Sequence, residues 1–162
     1  VGLSIAGGAG AAVLDLELDD TPVCDDGSVV QGNDLDYSEH IPWQPFSEER
    51  VDALAGSVVF IDFTADWCFT CKVNENTILE TAKVRGIMDE LDVVPLKADW
   101  TRADPVITEW LRRNNRAGVP MYLVLPKDTS KQPILLPEVI TPGDVEEALR
   151  QARGAAQRRT EG

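Results

Sequence analysis

The chain has 162 residues, of which 43% are hydrophobic and 27% are charged, and this suits one domain with its own core and a tail. The formal net charge is −13, and because an acidic surface repels phosphate backbones, the charge argues against a nucleic-acid partner. No stretch of the sequence reaches the roughly 18 apolar residues that a membrane-spanning helix needs.

Residues 1–40 show no sustained hydrophobic periodicity and are rich in glycine, alanine and aspartate. We interpret them as a flexible acidic linker or extension, with an acidic docking site as the alternative. Residues 1–14 are apolar but lack the basic start of a signal peptide, so they represent either the end of a membrane segment or a flexible lead-in. We expect the folded domain at residues 41–153 and a frayed tail at residues 154–162.

From residue 41 onward, hydrophobic periodicity and turn signals predict strands that alternate with helices. In chain order the predicted elements are a short edge strand or packed arm at 41–46, a helix from Ser47 to Gly56, a strand at 57–64, helices at 68–79 and 82–91, a strand at 93–98, a helix at 104–115, strands at 121–125 and 134–136, and a helix at 141–153. Pro95 suggests that its strand starts there or has an irregular edge. The alternation predicts an α/β fold with a mixed central sheet and helices on both faces.

A C-x-x-C pair, Cys68 and Cys71, falls where the predicted strand at 57–64 passes into a helix. At a helix N-terminus, unpaired N–H groups and the helix dipole favour the thiolate, which is the nucleophile in disulfide exchange. The second cysteine lies one turn further on, within reach of a mixed disulfide made by the first. The spacing therefore predicts exchange chemistry, with Cys68 as the attacking thiol and Cys71 as the resolving thiol.

Two other uses of the cysteines are open. A zinc site could draw on Cys24, His40, Cys68 and Cys71, but structural zinc usually takes paired ligands rather than one pair and two scattered residues. A purely structural disulfide is the other alternative, although so small a loop stabilises a fold little. Cys24 is left as a free thiol or as an accidental partner for another chain. We predict no metal, and no cofactor besides the Cys68–Cys71 disulfide.

Two acidic residues are candidates for proton transfer. Asp62 lies in an apolar strand six positions before Cys68, where a carboxylate is costly unless it is paired or used. We predict a buried proton acceptor, with exposure at the strand end or an ion pair with Lys97 as the alternatives. Glu75 would share a helix face with both cysteines, although a plain exposed glutamate fits its spacing as well.

Five motifs along residues 41–152 occur together and in order. They are WQPFS at 43–47, FIDFTADWCFTCK at 60–72, CKVNE at 71–75, LKADWT at 96–101 and GVPMYLV at 118–124. Together they resemble the thioredoxin superfamily, and more closely the C-terminal periplasmic domain of the DsbD family of transmembrane thiol:disulfide interchange proteins. The Phe-Thr dipeptide between the cysteines departs from the Gly-Pro of thioredoxin, and the resemblance does not extend to the acidic front segment with Cys24.

The resemblance implies a thioredoxin-like fold in which Pro120 is cis and lies beside the cysteines. It also implies that Asp62 and Glu75 modulate the active-site thiols. We assign partner contacts to the residues that flank the cysteines and to the proline loop, namely Trp67, Phe69, Thr70, Val119 and Pro120.

In that family, the domain is reduced by a membrane-embedded domain and in turn reduces an N-terminal periplasmic domain. The resemblance therefore implies a monomeric protein-disulfide reductase domain, periplasmic and tethered to the inner membrane, whose partners are protein thiols and disulfides. Two alternatives remain: a stand-alone periplasmic reductase that serves cytochrome c maturation, and a redox-inert module that keeps the fold.

Overall fold

A computed structural model describes residues 30–154, and within this range five strands form one mixed sheet in the order β1-β3-β2-β4-β5. The strands are β1 (Gln44–Pro45), β2 (Val59–Thr64), β3 (Val94–Asp99), β4 (Met121–Leu125) and β5 (Ile134–Leu135). Strands β1, β3 and β2 run parallel, whereas β4 is antiparallel to both β2 and β5. The predicted mixed sheet is confirmed.

Helices connect these strands, and several begin at the predicted N-caps. They are α1 (Glu48–Ala53), α2 (Phe69–Asn74), α3 (Ala82–Glu90), α4 (Pro105–Arg113) and α5 (Pro142–Arg153). The side chains of Ser47, Asp104 and Thr141 accept hydrogen bonds from backbone N–H groups in the first turns of α1, α4 and α5. No helix within residues 30–154 is long and apolar enough to cross a membrane.

The redox helix departs from the prediction of one regular helix at 68–79. Helix α2 ends at Asn74 and continues as a π-helical turn, Glu75–Leu79. The backbone N–H of Glu80 donates to the carbonyl of Glu75 at 2.8 Å, and this wider turn replaces the α-helical pattern. Such π turns are rare and occur often at functional sites.

Two apolar layers cover the sheet. On one face, Val59, Ile61 and Phe63 of β2 pack with Leu54, which directly follows α1, and with Leu111 of α4. On the other face, Phe60 packs with residues of α3 and α5, including Val84 and Leu149. All six residues of β2 are buried, which is why this central strand reads as a nearly continuous apolar run. The predicted helices on both faces are confirmed.

The packed structure begins before residue 41, where the sequence predicted a linker. A short 3-10 helix, Gly32–Asp34, starts this segment, and a Cβ atom on Gly32 would overlap the backbone of Asp92. The Tyr37 side chain is buried and its Oη donates to the carbonyl of Val93 at 2.7 Å. The sequence did not predict this packing, because one buried tyrosine in a segment without hydrophobic periodicity forms no recognisable pattern.

The predictions for residues 1–29, including Cys24, and for residues 155–162 lie outside the described residues.

Strand β3 is an interior strand despite Pro95. The backbone N–H of Val94 donates to Val58 on the β2 side, so the nitrogen of Pro95 points toward the β1 side. Strand β1 pairs only with Leu96 and Lys97 of β3, so no residue of β1 lies opposite Pro95. The N–H group that proline lacks is therefore not needed for a hydrogen bond between these strands.

Candidate redox site

Cys68 and Cys71 form a disulfide at the N-terminus of α2, with their Cα atoms 5.3 Å apart. Cys68 is the N-cap residue, and its Sγ accepts a hydrogen bond from the backbone N–H of Cys71 at 3.2 Å. The same N–H group and the helix dipole would stabilise a thiolate at Cys68 after reduction. This position matches the predicted division between an attacking and a resolving thiol.

The disulfide lies beneath an exposed apolar rim. Cys71 is fully buried and Cys68 is 6% exposed, so Cys68 is the sulfur nearer to solvent. On either side of Cys68, Trp67 is 59% exposed and Phe69 is 80% exposed, and Thr70 is exposed too. Large exposed apolar side chains are the usual contacts of protein partners. The predicted contact residues before and between the cysteines are therefore accessible to a partner.

Trp67 is fixed in place although it is exposed. Its indole Nε1 donates to the carbonyl of Thr101 at 3.2 Å, and its ring lies 6.1 Å from that of Trp100. The LKADWT motif at residues 96–101 thus anchors the front of the site, because the loop after β3 meets the loop that precedes Cys68.

The proline loop closes the other side of the disulfide. The Val119–Pro120 peptide bond is cis, and Val119 packs against the small buried cluster that Ala65 forms with Cys68 and Cys71. Sequence reasoning missed Arg116, whose Nη1 donates to the carbonyl of Pro120 at 3.4 Å and whose Nη2 donates to the carbonyl of Leu136 at 3.1 Å. An arginine four residues before a proline has no sequence pattern that would identify this role.

Asp62 is fully buried below the disulfide helix, and neither of its carboxyl oxygens has a hydrogen-bond partner among the described residues. The alternative that it is exposed at a strand end is therefore wrong. Burial, and next the charge of nearby Glu75, raise the pKa of Asp62 well above its usual range, while the charges of Lys97 and Lys72 oppose this. Asp62 is thus a carboxyl group that can hold a proton where an exposed aspartate cannot.

Lys97 lies directly opposite Asp62 on β3, as the ion-pair alternative requires, but its Nζ lies 4.8 Å from the centre of the Trp43 ring. That position is a cation–π contact. Lys97 therefore acts on Asp62 through its field rather than through a hydrogen bond.

Glu75 is 9% exposed, so the alternative of a plain exposed glutamate is wrong. Its Oε1 lies 3.8 Å from Nζ of Lys72, whereas its Oε2 is buried and has no hydrogen-bond partner among the described residues. Two ionised carboxylates cannot form a hydrogen bond with each other, because neither has a donor. Protonation of Asp62 supplies an O–H group, and Glu75 can then accept a hydrogen bond from it. The two acids therefore form a pair suited to holding one proton.

Two further polar side chains, both missed by sequence reasoning, border this pair. The Asn74 Nδ2 donates to Tyr122 Oη at 3.0 Å and to the carbonyl of Glu138 at 2.8 Å. Tyr122 lies directly opposite Asp62 on β4 and is fully buried. Their signal is weak: an asparagine within the redox helix, and a tyrosine in a strand that otherwise reads as apolar.

Three of the four ligands in the zinc alternative, His40, Cys68 and Cys71, lie in the part of the chain that the structure describes. Within residues 30–154, no three histidine, cysteine, aspartate or glutamate side chains cluster so that they could hold a metal ion. His40 lies beside Glu80, with Nδ1 3.7 Å from Oε1. Cys24, the remaining ligand of the zinc alternative, lies outside this range.

A thioredoxin-like family profile matches residues 43–127, more than half of the chain. The chain belongs to the thioredoxin-like family. It is 31% identical over 108 residues to the thiol:disulfide interchange protein DsbD of Ralstonia nicotianae, an alignment that covers 67% of this chain and 17% of that protein. The predicted likeness to DsbD is thereby confirmed, and the chain corresponds to about one sixth of that relative's length.

Solved structures support the same fold. A thioredoxin from Thermus thermophilus superposes with a TM-score of 0.52 at 22% identity, covering 67% of this chain and 84% of the thioredoxin. Chloroplastic thioredoxin z gives a TM-score of 0.52 at 21% identity, with 69% and 95% of the two chains covered. This thioredoxin-like chain holds its C-x-x-C pair as a disulfide at a helix N-terminus, the arrangement that thiol–disulfide exchange requires.

Proposed function

We propose that this domain works as a protein-disulfide reductase in a DsbD-like electron relay. It would take electrons from a membrane-embedded domain and pass them to protein disulfides in the periplasm, with the domain tethered to the inner membrane. The relationship to DsbD supports this role. The observation that carries it is the fully buried Asp62 carboxyl, paired with Glu75, beneath a disulfide whose accessible side is an exposed apolar rim.

The chemistry needs only the two cysteines and a proton acceptor. The Cys68 thiolate attacks one sulfur of the partner disulfide, forming a mixed disulfide and releasing the other partner sulfur as a thiolate. Cys71 then gives its proton to the Asp62–Glu75 pair and attacks Cys68 Sγ. The Cys68–Cys71 disulfide forms, the partner leaves with both its sulfurs reduced, and two electrons have moved from this domain to the partner.

The charges around Cys71 favour the reducing direction. Stabilising the thiolate stabilises the reduced form of a C-x-x-C pair and makes it an oxidant. Buried carboxylates act in the opposite sense because negative charge disfavours a nearby thiolate. The opposing positive charge of Lys72 is on a partly exposed side chain, where water weakens its effect. The negative charge that Asp62 and Glu75 share therefore disfavours a reduced pair that carries a thiolate, and so favours the disulfide.

The rim fits a protein partner better than a small thiol. Trp67, Phe69 and Thr70 form one exposed side of the site, and the half-buried Val119, which precedes the buried Pro120, packs against the cysteine cluster and forms a second side. A partner segment lying between these sides would cover apolar surface and bring its disulfide to Cys68. All five residues are therefore assigned to the surface that contacts the partner.

A direct electron-transfer experiment tests the proposal. The reduced chain is mixed with the oxidised N-terminal periplasmic domain of a DsbD protein, and the free thiols of both are alkylated and counted by mass. We expect the partner to gain two thiols as Cys68 and Cys71 lose theirs, and Cys68→Ser to transfer nothing. Transfer in the opposite direction from matched starting states, or none at all, would reject the reductase role.

A further inference from the structure

The proline loop, which carries Pro120, meets the segment that follows β5, residues 136–140, at the end of the β4–β5 ladder. The N–H of Leu136 donates to the carbonyl of Tyr122 at 3.0 Å, one position beyond the paired residues of β5. Nearby, Pro120 precedes β4 and Pro137 follows Leu136, and neither proline has an N–H group. Because both chains lose a donor there, the regular ladder cannot continue toward the site.

The side chain of Arg116 joins the loop to the segment instead. Its Nη1 donates to the carbonyl of Pro120 at 3.4 Å, and its Nη2 donates to the carbonyl of Leu136 at 3.1 Å. Nη1 also lies 3.5 Å from Oε2 of Glu138. Each Nη carries two hydrogens, so one guanidinium serves all three oxygens at once. The Arg116 side chain is mostly buried, and hydrogen bonds from a charged donor are stronger than those between neutral groups.

The same segment is also held by the redox helix. Asn74, which is buried in α2 three residues after Cys71, donates through Nδ2 to the carbonyl of Glu138 at 2.8 Å. The segment is thus joined to the redox helix at one point and, through Arg116, to the proline loop at another. Val119 of that loop packs against the cysteine cluster. Arg116 therefore connects the second side of the site to the helix that carries the disulfide.

We propose that Arg116 is a positioning residue for partner binding: its guanidinium joins the carbonyls of Pro120 and Leu136 and so holds the proline loop where the partner contacts it. This inference rests on the proposed function, because the partner is the protein whose disulfide this domain reduces. A loop that is already fixed loses less conformational freedom when a partner binds. The exchange step at Cys68 and Cys71 uses no group of Arg116. Loss of the guanidinium should therefore weaken partner binding rather than slow the chemistry.

Two substitutions separate the planar fork of Arg116 from its charge. Arg116→Met keeps an apolar stem and removes every donor. Arg116→Lys keeps the charge, but a single ammonium lacks the fork that spans two carbonyls. Arg112→Met is the matched control, because it removes an exposed arginine of α4 that pairs with Glu109 of the same helix.

Electron transfer is followed at increasing concentrations of the oxidised N-terminal periplasmic domain of a DsbD protein, which gives KM and kcat. KM should rise about tenfold in Arg116→Met while kcat stays unchanged; tenfold corresponds to about 1.4 kcal/mol, the scale of ordering one or two side chains on binding. Arg116→Lys should also raise KM, and Arg112→Met should not. Unchanged KM in folded Arg116→Met, an equal loss in kcat, or full recovery by Arg116→Lys would overturn the inference.

Nitrogen NMR relaxation of the disulfide form of the full chain tests the positioning without a partner. The order parameter of the Val119 amide should fall in Arg116→Met from about 0.85, the value of a rigid backbone, toward about 0.6. The Val94 amide, which donates to the carbonyl of Val58 within the sheet, should keep its wild-type value. An unchanged Val119 order parameter would also overturn the inference. If the wild-type chain transfers no electrons while this order parameter still falls in Arg116→Met, the reductase role fails and the positioning of the loop by Arg116 stands.

Discussion

Replacing Asp62 with asparagine should change how the free energy of unfolding depends on pH. Asp62 is fully buried and its pKa is raised in the folded state, so the folded protein holds this proton at pH values where the unfolded chain, with a pKa of about 3.9, has lost it. The stability contributed by the protonated carboxyl is complete below the unfolded pKa and is lost as the pH rises toward the folded pKa.

The slope gives the magnitude. Where the folded state holds one proton more than the unfolded state, the free energy of unfolding falls by about 1.4 kcal/mol per pH unit. Asparagine binds no such proton. Relative to the wild type, the free energy of unfolding of Asp62→Asn should therefore rise by up to about 1.4 kcal/mol for each pH unit above pH 4.

Urea unfolding of the disulfide form at pH 4.5, 5.5 and 6.5 measures this difference. Asp66→Asn is the matched control, because it removes an exposed carboxylate from the adjacent loop and should retain the wild-type dependence on pH. A constant difference between Asp62→Asn and the wild type across these pH values would refute the argument, because the folded and unfolded states would then bind this proton equally well.

Four substitutions test the roles of the two cysteines, the apolar rim and the segment before residue 41. Cys71→Ser should trap the chain and the DsbD domain as a mixed disulfide, seen on a non-reducing gel, and Cys68→Ser should trap none. Phe69→Ser should slow transfer to that domain by about tenfold or more, since burying a phenylalanine against a partner contributes about 1.5–3 kcal/mol, yet leave the reaction with dithiothreitol unchanged. Equal slowing of both reactions would contradict a contact role. Tyr37→Phe should cost about 1 kcal/mol in urea unfolding, and no loss would mean that the segment before residue 41 adds no stability.

Much of the fold could be predicted from local signals. Ser47, Asp104 and Thr141 mark helix starts through their own side-chain chemistry, and the apolar run of β2 indicates a strand covered on both faces. The cysteine pair was predictable for the same reason, because its position depends only on a strand followed by a helix.

The features of the fold and the site that could not be predicted depend on contacts between segments distant in the sequence. The position of Tyr122 beside Asp62 follows from the register of β2 against β4, which the sequence does not reveal. Arg116 and Asn74 act on backbone carbonyls of the segment after β5, and backbone groups carry no residue-specific pattern. The segment before residue 41 packs through isolated contacts without periodicity.

The reduction potential of the Cys68–Cys71 pair tests the central claim most directly. The chain is equilibrated against a series of dithiothreitol or glutathione buffers, and the fraction of disulfide is read after alkylation, with zinc assayed in the same sample. A reversible two-electron couple at about −200 to −270 mV is predicted for a reductase. A value near about −120 mV would place the pair among oxidants and contradict the direction of electron flow, and stoichiometric zinc or no reversible couple would contradict the redox function itself.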